Sequence, residues 1–195
     1  MTAPALRGVI PVLALLAAAP GSLLASPGSD GLYGAFLAAL MLAIAVSDAE
    51  RYIIPNELTG AAMALALLRA GTVGPDTGWE GLLWAGVRSA CVALPLLGLM
   101  EGYRRWRGRD GLGLGDVKLA AVAGAWLGWV TITAVVELAA LAALGAYLLT
   151  AGRRRQPLKG TAFLPFGAFL APAIWLGWLA EALLGGPLLI GLPGG

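Results

Sequence analysis

Histidine is absent from the sequence, and cysteine occurs once, as Cys91 inside a hydrophobic run. One cysteine forms no internal disulfide and no thiolate metal cluster. Without histidine there is no Ser/His or Cys/His dyad and no histidine-ligated zinc site. No metal or cofactor is therefore expected, and carboxylates are left as the acid–base groups of any enzyme. Charge is also scarce: 12% of the residues are charged, against roughly 25% in a soluble domain. A net charge of +2 is too small to suggest a nucleic-acid partner. No stretch alternates with period two, which argues against strands and a barrel.

Apolar residues are what the chain has: 59% of its 195 positions. They fall in seven runs, near 8–25, 31–47, 57–70, 79–101, 116–130, 131–151 and 162–184. A membrane span needs about 20 apolar residues, so the third and fifth runs are short. The expected fold is all-α, a polytopic integral membrane bundle of six to seven transmembrane helices in contact with the lipid bilayer.

The basic residues support that count. Arg104, Arg105, Arg107 and Arg109 lie between the fourth and fifth runs, and Arg153, Arg154, Arg155 and Lys159 between the sixth and seventh. Arg7, Arg51 and Lys118 fall on the same side of an alternating seven-span path. Only Arg69 and the intramembrane Arg88 are left over. The positive-inside rule makes the shared side cytoplasmic, with the N-terminus inside and the C-terminus outside. The first run, with Arg7 before it and small residues near Ala25, also resembles a signal peptide; a retained helix keeps the N-terminus with the other positive charges. The expected layout is an N-terminal helix over 1–30, a transmembrane domain over 31–184 and a Gly/Pro-rich tail over 185–195.

Two carboxylates stand at cytoplasmic helix ends in this topology. Asp48 closes the second run, before Tyr52-Ile53-Ile54-Pro55-Asn56, and Asp116 opens the fifth, after Gly111, Gly113 and Gly115. In a low-dielectric setting such a pair need not ionise twice and can share a proton. One carboxylate then serves as base to a water and the other as acid. The simpler reading makes them a solvated helix end and an N-cap. The alternating glycines weigh against it, since they permit positive φ and close approach of another chain.

Gly113-Leu114-Gly115-Asp116 matches the GxGD motif of intramembrane aspartyl proteases. Gly115 to Leu119, Gly-Asp-Val-Lys-Leu, resembles the bacterial prepilin peptidases in particular. Asp48 followed by Ile54-Pro55-Asn56 resembles that family's first aspartate region. Leu164-Pro165-Phe166-Gly167-Ala168-Phe169-Leu170 resembles its PFGPFL stretch, with Ala168 where proline is usual. The resemblance covers about residues 31–180. It implies an aspartic endopeptidase, a hydrolase of the inner membrane that removes basic leaders from type IV prepilins or pseudopilins at the cytoplasmic face. It implies catalytic Asp48 and Asp116, with support from Gly113, Gly115, Lys118, Pro55, Asn56, Pro165, Phe166 and Gly167. No CxxC is present, so the chain looks like the form without the methyltransferase part. A small transporter or channel with functional edge carboxylates is the alternative.

Other residues carry smaller expectations. Glu50, Glu57, Glu101 and Asp110 are candidates to attract a basic leader, or simply a solvated face. Lys118 reads as a membrane-edge lysine that snorkels. Pro165 suits a first helical turn. Trp79, Trp106, Trp129 and Trp178 read as interfacial anchors. Arg88 and Glu137, at similar depth, are expected either to pair or to face water separately.

Overall fold

The computed structural model describes residues 3–74, 76–108, 113–154 and 164–184. Among these residues seven helices follow one another: α1 (Ala3–Ala25), α2 (Ser29–Arg51), α3 (Asn56–Thr72), α4 (Trp79–Arg107), α5 (Leu114–Trp126), α6 (Trp129–Arg154) and α7 (Gly167–Leu184). No strand occurs among the described residues. The fold is an all-α membrane bundle. Helices α2, α4, α6 and α7 are long and apolar enough to cross a bilayer. Their lipid-facing sides carry exposed leucines such as Leu94, Leu99, Leu141 and Leu148.

Helix α5 is different. Its 13 residues rise only about 20 Å, short of the roughly 30 Å hydrocarbon core. Instead of facing lipid it is enclosed by α3, α4 and α7, and Leu119, Val122, Ala123 and Trp126 are buried. Small residues allow that enclosure. A Cβ on Gly124 would lie 2.8 Å from the Arg88 carbonyl oxygen, so α4 and α5 touch backbone to backbone, as small residues permit in membrane bundles. Trp126 donates its indole N–H to the Ala62 carbonyl at 3.3 Å and ties α5 to α3. Helix α1 packs along α2 and meets α7 where Trp175 Nε1 donates to Ser22 Oγ.

Several element ends differ from expectation for local reasons. Helix α4 runs past its apolar stretch to Arg107, because arginine is a good helix former and Glu101 pairs with both Arg104 and Arg105 one turn on. The fifth run ends early. Leu127 turns extended after Trp126, and the freed Gly128 N–H donates to Glu181 Oε1 at 2.8 Å. Pro165 is not in the first turn of α7. It lies in the non-helical approach, and the Phe166 carbonyl accepts the first helical bonds from Phe169 and Leu170. Trp79, Trp106 and Trp129 are exposed near helix ends as expected, but Trp178 is buried against Gly34. Arg88 and Glu137 do not pair: Arg88 Nε donates to the Gly124 carbonyl, while Glu137 is exposed on α6.

Candidate active site

Asp48 occupies the last turn of α2, yet only 5% of it is exposed. The solvated-end reading therefore fails for this residue. Its carbonyl accepts the N–H of Tyr52 at 2.9 Å, and Tyr52 takes a left-handed conformation at φ 57. For a non-glycine residue that conformation costs on the order of 1 kcal/mol. It turns the chain sharply into the extended Ile53-Ile54-Pro55. Ser47 Oγ pins the turn by donating to the Ile53 carbonyl at 2.8 Å. The consequence is that half-buried Ile54 packs inward against the core.

The Asp48 carboxylate is held from the far side of the molecule. Ala168 N–H, 120 residues on, donates to Asp48 Oδ2 at 2.8 Å. The Gly167 N–H is a second, looser donor. Both are free amides at the N-terminus of α7, where a helix has unsatisfied N–H groups and favours an anion. That end of α7 offsets the negative C-terminal end of α2 on which Asp48 itself sits.

Asp116 is the third residue of α5, and Gly113 is the N-cap. Asp116 is thus not an N-cap. Its carboxylate reaches back to the Gly113 N–H, which is one half of a capping box. Neither Gly113, at φ −75, nor helical Gly115 has positive φ, so conformational freedom is not why glycine stands there. Close approach is the reason at Gly115, whose added Cβ would lie 3.0 Å from Ile54 Cβ. A Cβ on Gly167 would lie 2.6 Å from Ile54 Cδ1 and 3.0 Å from Asp48 Oδ2. Ile54 is therefore the spacer between the segments that carry or hold the two aspartates. Sequence reasoning passed over it as part of a motif, since its side-chain direction depends on the Tyr52 turn.

Asp48 and Asp116, far apart in sequence, thus stand at one end of the bundle, with Ile54 packed against both Gly115 beside Asp116 and the Gly167 that approaches Asp48. Asp116 also opens onto an apolar groove of about 460 Å³ lined by Leu96, Leu99, Met100 and Tyr103 of α4 and by Phe166 and Leu170. Lys118 does not simply snorkel: Nζ donates to Asn56 Oδ1 at 2.7 Å and links α5 to the start of α3. Pro55 is the N-cap of α3. Glu50 and Glu57 are exposed at the same end. Glu101 is engaged by its two arginines, and Asp110 lies outside the described residues, as does Gly111.

The class of molecule is an all-α membrane bundle that brings two carboxylates together beside an apolar groove. The sequence model of the type IV leader peptidase family matches residues 35–149, and the chain belongs to that family. A prepilin leader peptidase/N-methyltransferase of Burkholderia pseudomallei is 35% identical over 184 residues, which is 93% of this chain and 56% of that protein. One from Pectobacterium carotovorum subsp. carotovorum is 36% identical over 176 residues, 84% of this chain and 55% of that protein. The leader peptidase HopD of Escherichia coli is 34% identical over 151 residues, 76% of this chain and 92% of that protein. The chain thus spans about half the length of the bifunctional relatives and matches nearly the whole of HopD. No solved structure matches.

Proposed function

We propose that this chain is an aspartic endopeptidase that removes the basic leader from type IV prepilins or pseudopilins, acting at the cytoplasmic face of the inner membrane. The observation that carries the reading is the convergence of Asp48 and Asp116 at one end of the bundle in a member of the type IV leader peptidase family. Asp48 is the base. The Ala168 N–H that donates to its carboxylate at 2.8 Å requires a lone pair and favours the anion. Asp116, with an apolar groove at its side, holds the shared proton.

In the first step Asp48 takes a proton from water as the water oxygen bonds to the scissile carbonyl carbon. The Asp116 proton goes to the carbonyl oxygen, giving a neutral gem-diol. In the second step the C–N bond breaks and the leaving nitrogen takes the proton that Asp48 had accepted. One gem-diol hydroxyl proton passes to Asp116, which restores the starting dyad. Exposed Glu50 and Glu57 are the candidates to meet a basic leader. The test is incubation of the purified protein with a prepilin, scored by leader removal on gels and by mass. Cleavage by wild type but not by Asp48→Asn or Asp116→Asn is expected. A well-folded wild type that leaves the prepilin intact would leave transport as the better reading.

A further inference from the structure

Opposite the two aspartates the bundle holds a second polar space. It is a cavity of about 440 Å³ between the start of α2, the ends of α3, α5 and α7 and the start of α4. Both arginines that the topology left on this side, Arg69 and Arg88, line it. Arg69 is engaged by its neighbours. Its Nε donates to Asp30 Oδ1 at 2.6 Å, its Nη1 donates to the Trp126 carbonyl, and its guanidinium lies 5.2 Å from the Trp126 ring centre.

Arg88 is not. Its Nε donates to the Gly124 carbonyl at 3.2 Å, and among the described residues its two terminal nitrogens reach no acceptor. Trp178, 1% exposed, also lines the cavity, and its Nε1 has no hydrogen-bond partner among the described residues. A buried donor without an acceptor, such as the Trp178 N–H, is costly, and the half-buried Arg88 adds two open donors beside it. Acceptors are available nearby too: Glu181 spends one carboxylate oxygen on Gly128, and Asp76 is exposed at the cavity's edge. Both acids line the same space as Arg88.

The cavity thus pairs unfilled donors with unfilled acceptors. We propose that it binds a zwitterionic phosphate ester with a primary ammonium, the headgroup chemistry of an aminophospholipid. The phosphate is taken by the Arg88 terminal nitrogens and the Trp178 N–H, and the ammonium by Glu181 and Asp76. Guanidinium is well suited to phosphate because its planar fork offers two parallel N–H bonds. The location fits a lipid source, since helix ends at a membrane boundary are where headgroups lie.

The test is native mass spectrometry of the detergent-purified full chain. The probes are dioleoylphosphatidylethanolamine, its phosphatidylcholine and phosphatidylglycerol counterparts, glycerophosphoethanolamine and inorganic phosphate. The choline lipid keeps the phosphate but has no ammonium N–H, and the glycerol lipid has no cation. The ethanolamine lipid is expected to be retained about tenfold better than either. Arg88→Gln should remove that retention, and Asp76→Asn, at an exposed position, should lower it to the choline level. This pattern supports the lipid-borne form. Glycerophosphoethanolamine binding as well as the lipid supports the free form of the same chemistry. Equal retention of the three lipids, inorganic phosphate matching the ethanolamine lipid, or an unchanged preference in Arg88→Gln that melts like wild type overturns the proposal.

Discussion

Gly167→Ala is a one-carbon change with a calculable target. The added Cβ would lie 2.6 Å from Ile54 Cδ1 and 3.0 Å from Asp48 Oδ2. In an open helix, glycine to alanine would gain up to about 1 kcal/mol of propensity. Overpacking at a well-filled site costs about 1–3 kcal/mol and outweighs that gain here, so a small net loss of stability is expected. The larger effect is on Asp48, whose carboxylate is held at 2.8 Å by the neighbouring Ala168 N–H and must move with it. Displacing a reacting group by about 1 Å can cost roughly a hundredfold in rate. The expected result is a kcat about a hundredfold lower with KM within a few fold, measured on a purified prepilin in detergent, with thermal melts as control. The structure also names the suppressor. Ile54→Val removes Cδ1, the atom nearest the new methyl. The double variant Gly167→Ala/Ile54→Val should recover at least tenfold, a coupling of about 1.4 kcal/mol. Gly167→Ala with activity within twofold of wild type, or a double variant no better than the single, would refute the reasoning.

Gly115→Ala should also lose activity, but Ile54→Val should not rescue it, because the close atom there is Ile54 Cβ at 3.0 Å and valine keeps it; equal rescue at both glycines in the same cleavage assay would count against Ile54 as a spacer. Asp48→Asn and Asp116→Asn should each lower cleavage by at least about a hundredfold while melting like folded protein, and near wild-type processing by either would remove it from the dyad. An apolar carbodiimide, which attacks protonated carboxyls, should modify Asp116 and spare Asp48 in the wild type; peptide mapping that finds the adduct on Asp48 would reverse the acid and base. EDTA should leave the cleavage rate unchanged, since histidine is absent and one cysteine offers no zinc set; loss on chelation with recovery on adding one metal would require a different water activation.

What composition and apolar runs reveal is the bundle: all seven runs became helices, and the two aspartates fell at one end. Those features depend on local sequence and on the alternation of spans. The features that escaped depend on partners far along the chain. The break after Trp126 is stabilised by Glu181, 53 residues from Gly128, and nothing near Leu127 announces it. The Asp48 carboxylate is held by the start of α7, 120 residues away. The glycines before Asp116 suggest both positive φ and close approach, and at Gly115 only close approach holds. Positive φ is a property of one residue and can be guessed from a glycine, whereas close approach to Ile54 requires knowing where the Tyr52 turn sends the chain. Lys118 is the same case, because its acceptor Asn56 is 62 residues earlier.

The short α5 connects these observations. At about 20 Å it is roughly 10 Å too short for the hydrocarbon core, and in lipid its free backbone ends would be costly. Enclosure by α3, α4 and α7 lowers that cost, because protein and not lipid surrounds the helix from Val117 to Trp126. The ends are then free to be polar. One carries Asp116, reaching back to Gly113 and facing the Asp48 that α7 holds. The other leads into Leu127 and Gly128 and forms part of the wall beside Arg69, Arg88 and Glu181. A full-length fifth span would carry both sets of groups to the headgroup layer, where each would be solvated and neither would need the other. Brevity and burial of one helix thus place the Asp116 carboxylate at the mouth of an apolar groove and not in the headgroup layer.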